Sequence, residues 1–219
     1  MSFKTIGLSD ELHAYVVAHS VRPDALIADL VAETRASLPE DAGMQIAPEQ
    51  APLFTLLTQI TGARYAVEVG TFTGLSSIAI ARGLPADGRM VCCDVSEEFT
   101  SMARRYWERA GLADRIELRI GPAADTLRAM PTEPHIDLAF IDADKTGYPV
   151  YWAELVPRMR PGGVILVDNV LQGGWVLDPA TQHASVQAVR KTNDTVAGDD
   201  RVEAVMLPMR DGVTIARKR

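Results

Sequence analysis

The stretch Val67-Glu68-Val69-Gly70-Thr71-Phe72-Thr73-Gly74 decides the fold of this chain. It ends the apolar run Tyr65–Val69, which reads as a buried strand, and it opens the helical pattern Leu75–Arg82. Glycines here let the backbone turn sharply and approach a ligand at the carboxyl edge of a sheet. A turn that needs glycine only for its geometry would look the same. The stretch therefore predicts the first strand, turn and helix of an α/β sheet, with a ligand site as one interpretation of the glycines.

Strand and helix patterns alternate after this stretch. Further strands are predicted at Met90–Val95, Ile116–Ile120, Ile136–Ile141 and Val164–Val167. The helical patterns between them are Glu97–Ala110, Ala124–Met130 and Val150–Met159. Continuously apolar strands separated by helices are typical of a parallel sheet that is covered on both faces. Two closing strands, Val202–Leu207 and Val213–Ala216, flank the hairpin signal Asp211-Gly212. We therefore expect a mostly parallel seven-stranded sheet that ends in an antiparallel pair.

The residues before the first strand are predicted to be helical. Ser9 is a credible helix cap, Leu26–Leu38 is amphipathic, and Pro48 opens a third helix that ends near Gly62. No repeat, linker or low-complexity tract divides the chain. We expect one domain over residues 1–219, with a helical N-terminal extension at 1–62 and an α/β core at 63–219.

Composition narrows the class of protein. A net charge of −7 over 219 residues argues against a nucleic-acid binder that works through a broad basic surface. Cys92 and Cys93 are neighbours on a predicted strand, so their side chains should face opposite ways and form no disulfide. Met1–Lys4 precedes no apolar leader segment, and no apolar run is long enough to span a membrane. These features predict a cytoplasmic protein without a membrane segment.

Two further positions at the sheet edge suggest a nucleoside cofactor. Asp94 ends the second strand, where a carboxylate can accept both hydroxyls of a ribose, although it could instead cap the helix that follows Ser96. Gly121-Pro122-Ala123 follows the third strand and would hold an adenine edge or serve as a plain turn. The Gly-x-x-x-Gly spacing at Gly70 and Gly74 lacks the Gly-x-Gly-x-x-Gly pattern of a diphosphate cradle, which weighs against NAD.

Oxygen donors follow the fourth and fifth strands. Asp142 ends one, and Asp168 and Asn169 end the other, so all three should lie at the edge that holds Gly70. A site with oxygen donors alone suits Mg²⁺ or Ca²⁺ better than zinc. A solvated acidic edge is the alternative.

With these motifs the chain resembles the cation-dependent O-methyltransferases of small phenols. That group includes the caffeoyl-CoA O-methyltransferases and is similar to animal catechol O-methyltransferase. The resemblance covers nearly the whole chain and rests on four segments: Met44-Gln45-Ile46-Ala47-Pro48-Glu49-Gln50, Glu68–Gly74, Ile141-Asp142-Ala143-Asp144-Lys145 and Val167-Asp168-Asn169. It implies a member of the bacterial type of this family, with a Rossmann-like class I methyltransferase fold.

The resemblance also implies roles for single residues. Contacts to S-adenosylmethionine (SAM) would come from Ile46, Glu68, Gly70, Thr71, Ser76, Asp94, Ala123 and Asp144. The divalent cation, Mg²⁺ or else Ca²⁺ or Mn²⁺, would be held by Asp142, Asp168 and Asn169. Lys145 matches the proposed general base of the family, and together with Asp142 it would form the catalytic pair. A structural ion pair between Lys145 and an aspartate is the alternative.

The implied activity is methyl transfer from SAM to a hydroxyl of a catechol-type small molecule, by a homodimer. An NAD-dependent oxidoreductase and a non-catalytic SAM-binding protein remain alternatives. The acceptor stays open among free catechols, hydroxycinnamates or their CoA esters, flavonoids and antibiotic intermediates. Trp175, in the loop after the fifth strand, would cover an aromatic ring or pack in the core. Tyr148, Tyr151 and Trp152 are predicted to be helix-face residues that do not belong to a cofactor site.

Overall fold

The computed structural model describes residues 7–219, so the segment Met1–Lys4 lies outside the described residues. A single sheet contains seven strands. Their bounds are β1 Tyr65–Val69, β2 Arg89–Asp94, β3 Ile116–Ile120, β4 Ile136–Ile141, β5 Met159–Asp168, β6 Val202–Leu207 and β7 Val213–Lys218. Eight α-helices accompany them in the described residues. Their bounds are α1 Asp10–Ala18, α2 Ala25–Ser37, α3 Gln50–Ile60, α4 Leu75–Gly83, α5 Glu97–Arg109, α6 Ala123–Ala129, α7 Tyr148–Arg158 and α8 Ala184–Ala197.

The strand order is β3-β2-β1-β4-β5-β7-β6. Strands β3 to β5 in this order are parallel neighbours, whereas β7 runs antiparallel to both β5 and β6. The sheet begins at β1 in its middle, and the chain then winds outward through β2 to β3 before it returns to β4. The loops that follow the parallel strands therefore lie at one edge of the sheet, where the ends of β1 and β4 are neighbours. The predicted fold, a mostly parallel sheet closed by an antiparallel pair, is confirmed.

Two apolar cores cover the two faces of the sheet. One contains Phe54 of α3, Ile78 of α4 and Tyr106 of α5, and the other contains Leu127 of α6, Trp152 of α7 and Val189 of α8. Neighbouring strand residues alternate between the cores because successive side chains of a strand point to opposite faces. Cys92 packs in the first core and Cys93 in the second, and both are free thiols, as the sequence predicts.

The helix α8 is the element that the sequence analysis missed. Its buried face consists of Val186, Val189, Thr192 and Val196. A threonine at the third of these positions interrupts the apolar pattern, and the helix also contains Asn193 and Asp194, which favour turns. None of the helices in residues 7–219 has the length and apolar character needed to cross a lipid bilayer.

Candidate active site

A cavity of about 740 Å³ opens at the carboxyl edge of the sheet, beside the ends of β1, β2, β4 and β5. Most of the predicted site residues line it together: Ile46, Gly70, Thr71, Ser76, Asp94, Ala123, Asp142, Asp144, Lys145 and Asn169. Two predicted residues do not reach the wall. The side chains of Glu68 and Asp168 are fully buried behind it. The three segments that follow β1, β4 and β5 therefore meet at one cavity.

The turn after β1 lies directly against the turn after β4. Gly70 has φ +92°, and a Cβ atom there would lie 2.1 Å from the carbonyl oxygen of Asp142. The amide of Asp142 donates to the carbonyl of Val69 at 2.8 Å, which fixes the approach of the two turns. Only glycine satisfies both the left-handed backbone and this contact.

We expect Gly70→Ala to destabilise the protein by about 3 kcal/mol or more, because a left-handed backbone and a backbone clash add together. Chemical denaturation with circular dichroism measures this loss. Gly62→Ala is a matched control, since Gly62 also has a positive φ of +61° but open space at its Cβ. The control should lose only about 1 kcal/mol, the cost of the backbone conformation alone. Equal losses in the two variants would show that the close approach at Gly70 contributes nothing.

Asp94 ties the glycine turn to β2. Its Oδ2 accepts the amides of Thr71 and Phe72, each at 2.9 Å, and its Oδ1 accepts the amide of Ser96 at 2.8 Å. The cap of α5 is Ser96, whose Oγ accepts the amide of Phe99. The alternative interpretation of Asp94 as that helix cap is therefore wrong. Asp94 lines the cavity, and its predicted contact with a ribose stays a prediction.

Asp168 lies behind the cavity wall in a fixed orientation. Its Oδ2 accepts a hydrogen bond from Gln50 Nε2 at 2.9 Å, and its Oδ1 accepts the amide of Asn169 at 2.7 Å. Burial, followed by the negative charge of Asp142, raises the pKa of Asp168 to about 6. The two carboxylates thus interact unfavourably when both are charged.

Lys145 bridges the two predicted metal-ligand segments. Its Nζ donates to Asp142 Oδ1 at 2.8 Å and to Tyr148 Oη at 2.8 Å, and Tyr148 Oη donates to the carbonyl of Asp168 at 3.1 Å. The ion pair with an aspartate, which was the alternative role of Lys145, is therefore present. It holds the amine at the cavity wall and does not exclude the predicted role as a base. That role stays a prediction.

The donor set fits a hard divalent cation. Residues 7–219 contain no group of three or more His, Cys, Asp or Glu side chains arranged as a metal site. The predicted ligands are instead two carboxylates and an amide, from Asp142, Asp168 and Asn169. All three supply oxygen, which Mg²⁺ prefers, and a cation between the carboxylates would relieve their repulsion. The fit supports the predicted ligands without demonstrating a bound ion.

The comparison with known proteins decides the family. Residues 17–219 match the model of a family described as O-methyltransferase. This chain belongs to that family.

Two relatives illustrate the range of this O-methyltransferase family. The "Probable caffeoyl-CoA O-methyltransferase 1" of Dictyostelium discoideum is 39% identical over 208 residues, which cover 93% of this chain and 90% of that protein. The catechol O-methyltransferase of Niastella koreensis is 34% identical over 188 residues, covering 85% of this chain and 84% of that protein.

Solved structures agree with this assignment. The Bacillus cereus O-methyltransferase in complex with SAH superposes with a TM-score of 0.88 at 34% identity, covering 95% of this chain and 97% of that one. TomG of Streptomyces achromogenes, an O-methyltransferase involved in tomaymycin synthesis, was solved with SAM; its TM-score is 0.87 at 33% identity, covering 95% and 96%. The predicted resemblance, the Rossmann-like fold and the enzyme class are confirmed. The comparisons argue against an NAD-dependent oxidoreductase.

Three polar residues of this methyltransferase site were not identified from sequence. Gln50 of α3 is fully buried; besides donating to Asp168, its Oε1 accepts the amide of Ala47 at 2.6 Å. Tyr148 contacts Lys145, and Tyr151 Oη donates to Asp144 and lines the cavity. The helix-face interpretation of the two tyrosines is thus incomplete. Their spacing from the Asp-Ala-Asp-Lys segment, about one and two helical turns, is the signal that could have identified them.

Trp175 does not pack in a core. Its side chain is 56% exposed in the loop after β5, and it does not line the 740 Å³ cavity. The core-packing alternative is therefore wrong. Gly173 and Gly174, just before it, both have positive φ.

Glu68 is a buried carboxylic acid under the glycine turn. It lies in register between Cys92 and Phe140, and among the described residues neither of its oxygens has a hydrogen-bond partner. Burial raises the pKa of Glu68 to about 7, an effect that the nearby hydroxyls of Ser76 and Thr71 oppose only in part. Its predicted contact with SAM stays a prediction, because this side chain stands behind the cavity wall.

The raised pKa of Glu68 gives a pH-dependent stability. The folded state keeps the proton between the ordinary value of 4.5 and about 7, whereas the unfolded chain loses it. Stability is therefore lost as pH rises through this interval, by about 3 kcal/mol in total. We expect Glu68→Gln to remove this loss, so that the variant gains stability over the wild type between about pH 5 and about pH 8.

Urea denaturation at both pH values measures the gain. Glu117→Gln is the matched control, because Glu117 is a strand carboxylate with 59% of its side chain exposed. A pH-independent difference between Glu68→Gln and the wild type would show that Glu68 is charged in the folded protein.

Proposed function

We propose that this enzyme transfers the methyl group of SAM to one hydroxyl of an ortho-diphenol. In this proposal Asp142, Asp168 and Asn169 hold a divalent cation, most readily Mg²⁺, and Lys145 is the general base. The observation that carries the proposal is the convergence of Lys145, Asp142 and Asn169 on the same cavity as Asp94 and the glycine turn. The residues that we assign to the cofactor (the cofactor end) and those that we assign to the metal (the metal end) thus line the same cavity.

The cofactor end combines backbone and carboxylate groups. When bound, SAM supplies a methyl group on a sulfonium centre to a deprotonated hydroxyl. Asp94 holds the amides of the turn in place, and its exposed edge can accept ribose hydroxyls. We assign the remaining contacts along the cavity to Ile46, Gly70, Thr71, Ser76, Ala123 and Asp144.

The metal end orients the acceptor. When bound, a divalent cation would take both oxygens of a vicinal diol and stabilise the phenolate, whose pKa is otherwise about 10 by analogy with tyrosine. Gln50 fixes the carboxylate plane of Asp168 through one oxygen, and the amide of Asn169 holds the other. Such outer hydrogen bonds keep metal ligands in a single orientation.

Lys145 is placed to take the hydroxyl proton. Its Nζ donates to the carboxylate of Asp142 and to the hydroxyl of Tyr148, and these two contacts hold the nitrogen at the cavity wall. Tyr148 does not compete as a base, because burial and then the charge of Asp142 raise the pKa of Tyr148 well above its ordinary value. Its hydroxyl therefore keeps its proton and positions Lys145.

Turnover with labelled SAM over a panel of ortho-diphenols, with and without Mg²⁺, tests the proposal. Methylation that requires the metal and the vicinal diol would support it. A chain that binds SAH but methylates no diphenol would instead support the alternative of a non-catalytic SAM-binding protein. Equal rates with mono-phenols, or full rates in EDTA, would contradict the metal-chelated diol. The family resemblance also leads us to propose a cytoplasmic homodimer, which light scattering tests for its oligomeric state.

A further inference from the structure

Arg210 stands where two cavities of the molecule adjoin. It belongs to the turn between β6 and β7, and it lines both the 740 Å³ cavity and a larger cavity of about 1140 Å³ beside α1, α2 and α3. Its guanidinium donates to the carbonyl of Gln45 and, at 2.6 Å, to the carbonyl of Gly43. The side chain is thus held in one place at the mouth of the active-site cavity.

The charge of Arg210 is not balanced by a carboxylate. Its two partners are neutral carbonyls, and no carboxylate of residues 7–219 forms an ion pair with it. The neighbouring Asp211 is engaged elsewhere, since its Oδ1 accepts the amide of Gly173 at 2.6 Å. Lys145, the other cation on this cavity wall, is paired with Asp142. Among the described residues that line this cavity, Arg210 is therefore the one positive charge without a carboxylate partner.

The backbone at Arg210 is also unusual. Its φ is +50°, a left-handed conformation that costs a residue with a Cβ atom about 1 kcal/mol relative to glycine. Such conformations concentrate at ligand sites, where the placement of a side chain compensates for the strain. At Arg210 this conformation accompanies the contacts of the guanidinium with Gly43 and Gln45, two residues that line both cavities.

We infer that Arg210 is a specificity-determining residue, which binds a carboxylate carried on a substituent of the diphenol ring. The inference rests on the proposed function, because it concerns the acceptor of that reaction. Arginine suits this task, since its planar group has five N–H donors and only some of them are used by the two carbonyls. An acceptor with an acidic side chain would thus have its diol at Asp142 and Asn169 and its carboxylate at Arg210.

The test compares caffeate with its methyl ester, which differ in charge but share the diol. We expect Arg210→Gln to lower kcat/KM for caffeate about 10-fold more than for the ester, mainly through KM, because a charged hydrogen bond at a partly exposed site is lost. Arg210→Lys should restore much of the preference. Arg35→Gln, which removes a charge from the larger cavity only, is the matched control and should leave the ratio of the two substrates unchanged.

An equal loss of kcat/KM for caffeate and its methyl ester in Arg210→Gln would overturn the inference. Arg210 would then only hold the backbone of Gly43 and Gln45 in place. A loss confined to caffeoyl-CoA would also overturn it, because that thioester is neutral near the ring and carries its charge on distant phosphates. A wild-type enzyme that methylates none of the three compounds nor any other ortho-diphenol would contradict the proposed function itself. Failure of the inference is therefore distinguishable from failure of the proposed function.

Discussion

Replacement of Asp142 by alanine is expected to lower metal-dependent methylation of an ortho-diphenol by about 10³-fold or more. Two contributions are lost together. The cation would lose one of its two charged ligands, and Lys145 would lose the carboxylate that holds its Nζ at 2.8 Å. SAH binding should change little, because the turn at Gly70 contacts the backbone of Asp142, which the substitution keeps. Turnover with labelled SAM and titration calorimetry with SAH measure the two effects.

The control for this variant is Asp114→Ala, which removes an exposed carboxylate far from the cavity. It should retain wild-type turnover. Calorimetry with Mn²⁺ gives a second readout that does not depend on activity, and Asp142→Ala should lose most of the metal affinity. Full activity of Asp142→Ala in the presence of EDTA would remove the metal role of Asp142.

Replacement of Lys145 by alanine is expected to lower kcat about 10²- to 10⁴-fold, the range that a general base contributes. The decisive measurement is the pH–rate profile. The wild type should show an ionisation that the variant lacks, because the group that accepts the proton is gone. Activity of the variant should then rise steeply with pH, as hydroxide and the intrinsic ionisation of the phenol replace the base.

A second variant separates the base from the charge. Lys145→Arg keeps a cation beside Asp142 but supplies no neutral amine, so it should remain as impaired as the alanine variant. Lys191→Ala, which removes an exposed lysine of α8, serves as the control. An unchanged pH–rate profile in Lys145→Ala would eliminate Lys145 as the base and leave it as the ion-pair partner of Asp142.

The sheet was predictable because its signal is local. Most of the parallel strands are short, mainly apolar runs, and most of the helices between them repeat their apolar residues at helical spacing, so a window of a few residues contains the information. The edge residues follow from the same pattern. Gly70 and Asp142 come directly after β1 and β4, and Asp94 is the last residue of β2; in a parallel sheet those positions share one edge whatever the helices do.

The helix α8 shows where this local signal fails. Thr192 is buried on the apolar face of α8. Because threonine is polar, it interrupts the helical repeat of apolar residues in the sequence, although the position is part of the packed face. The segment forms a helix despite its weak helix propensity, because Val189 and Val196 are buried in the second core when it does.

The sequence by itself thus determined the class of sheet and the residues that reach its carboxyl edge. Only the tertiary structure decided which of their atoms face the cavity: Thr71 lines it, while Glu68, three residues earlier, is buried behind it. It also brought in partners from far along the chain, with Gln50 118 residues from Asp168 and Arg210 165 residues from Gln45. Contacts over such separations depend on how helices and turns pack in space, and no periodicity of the chain encodes them.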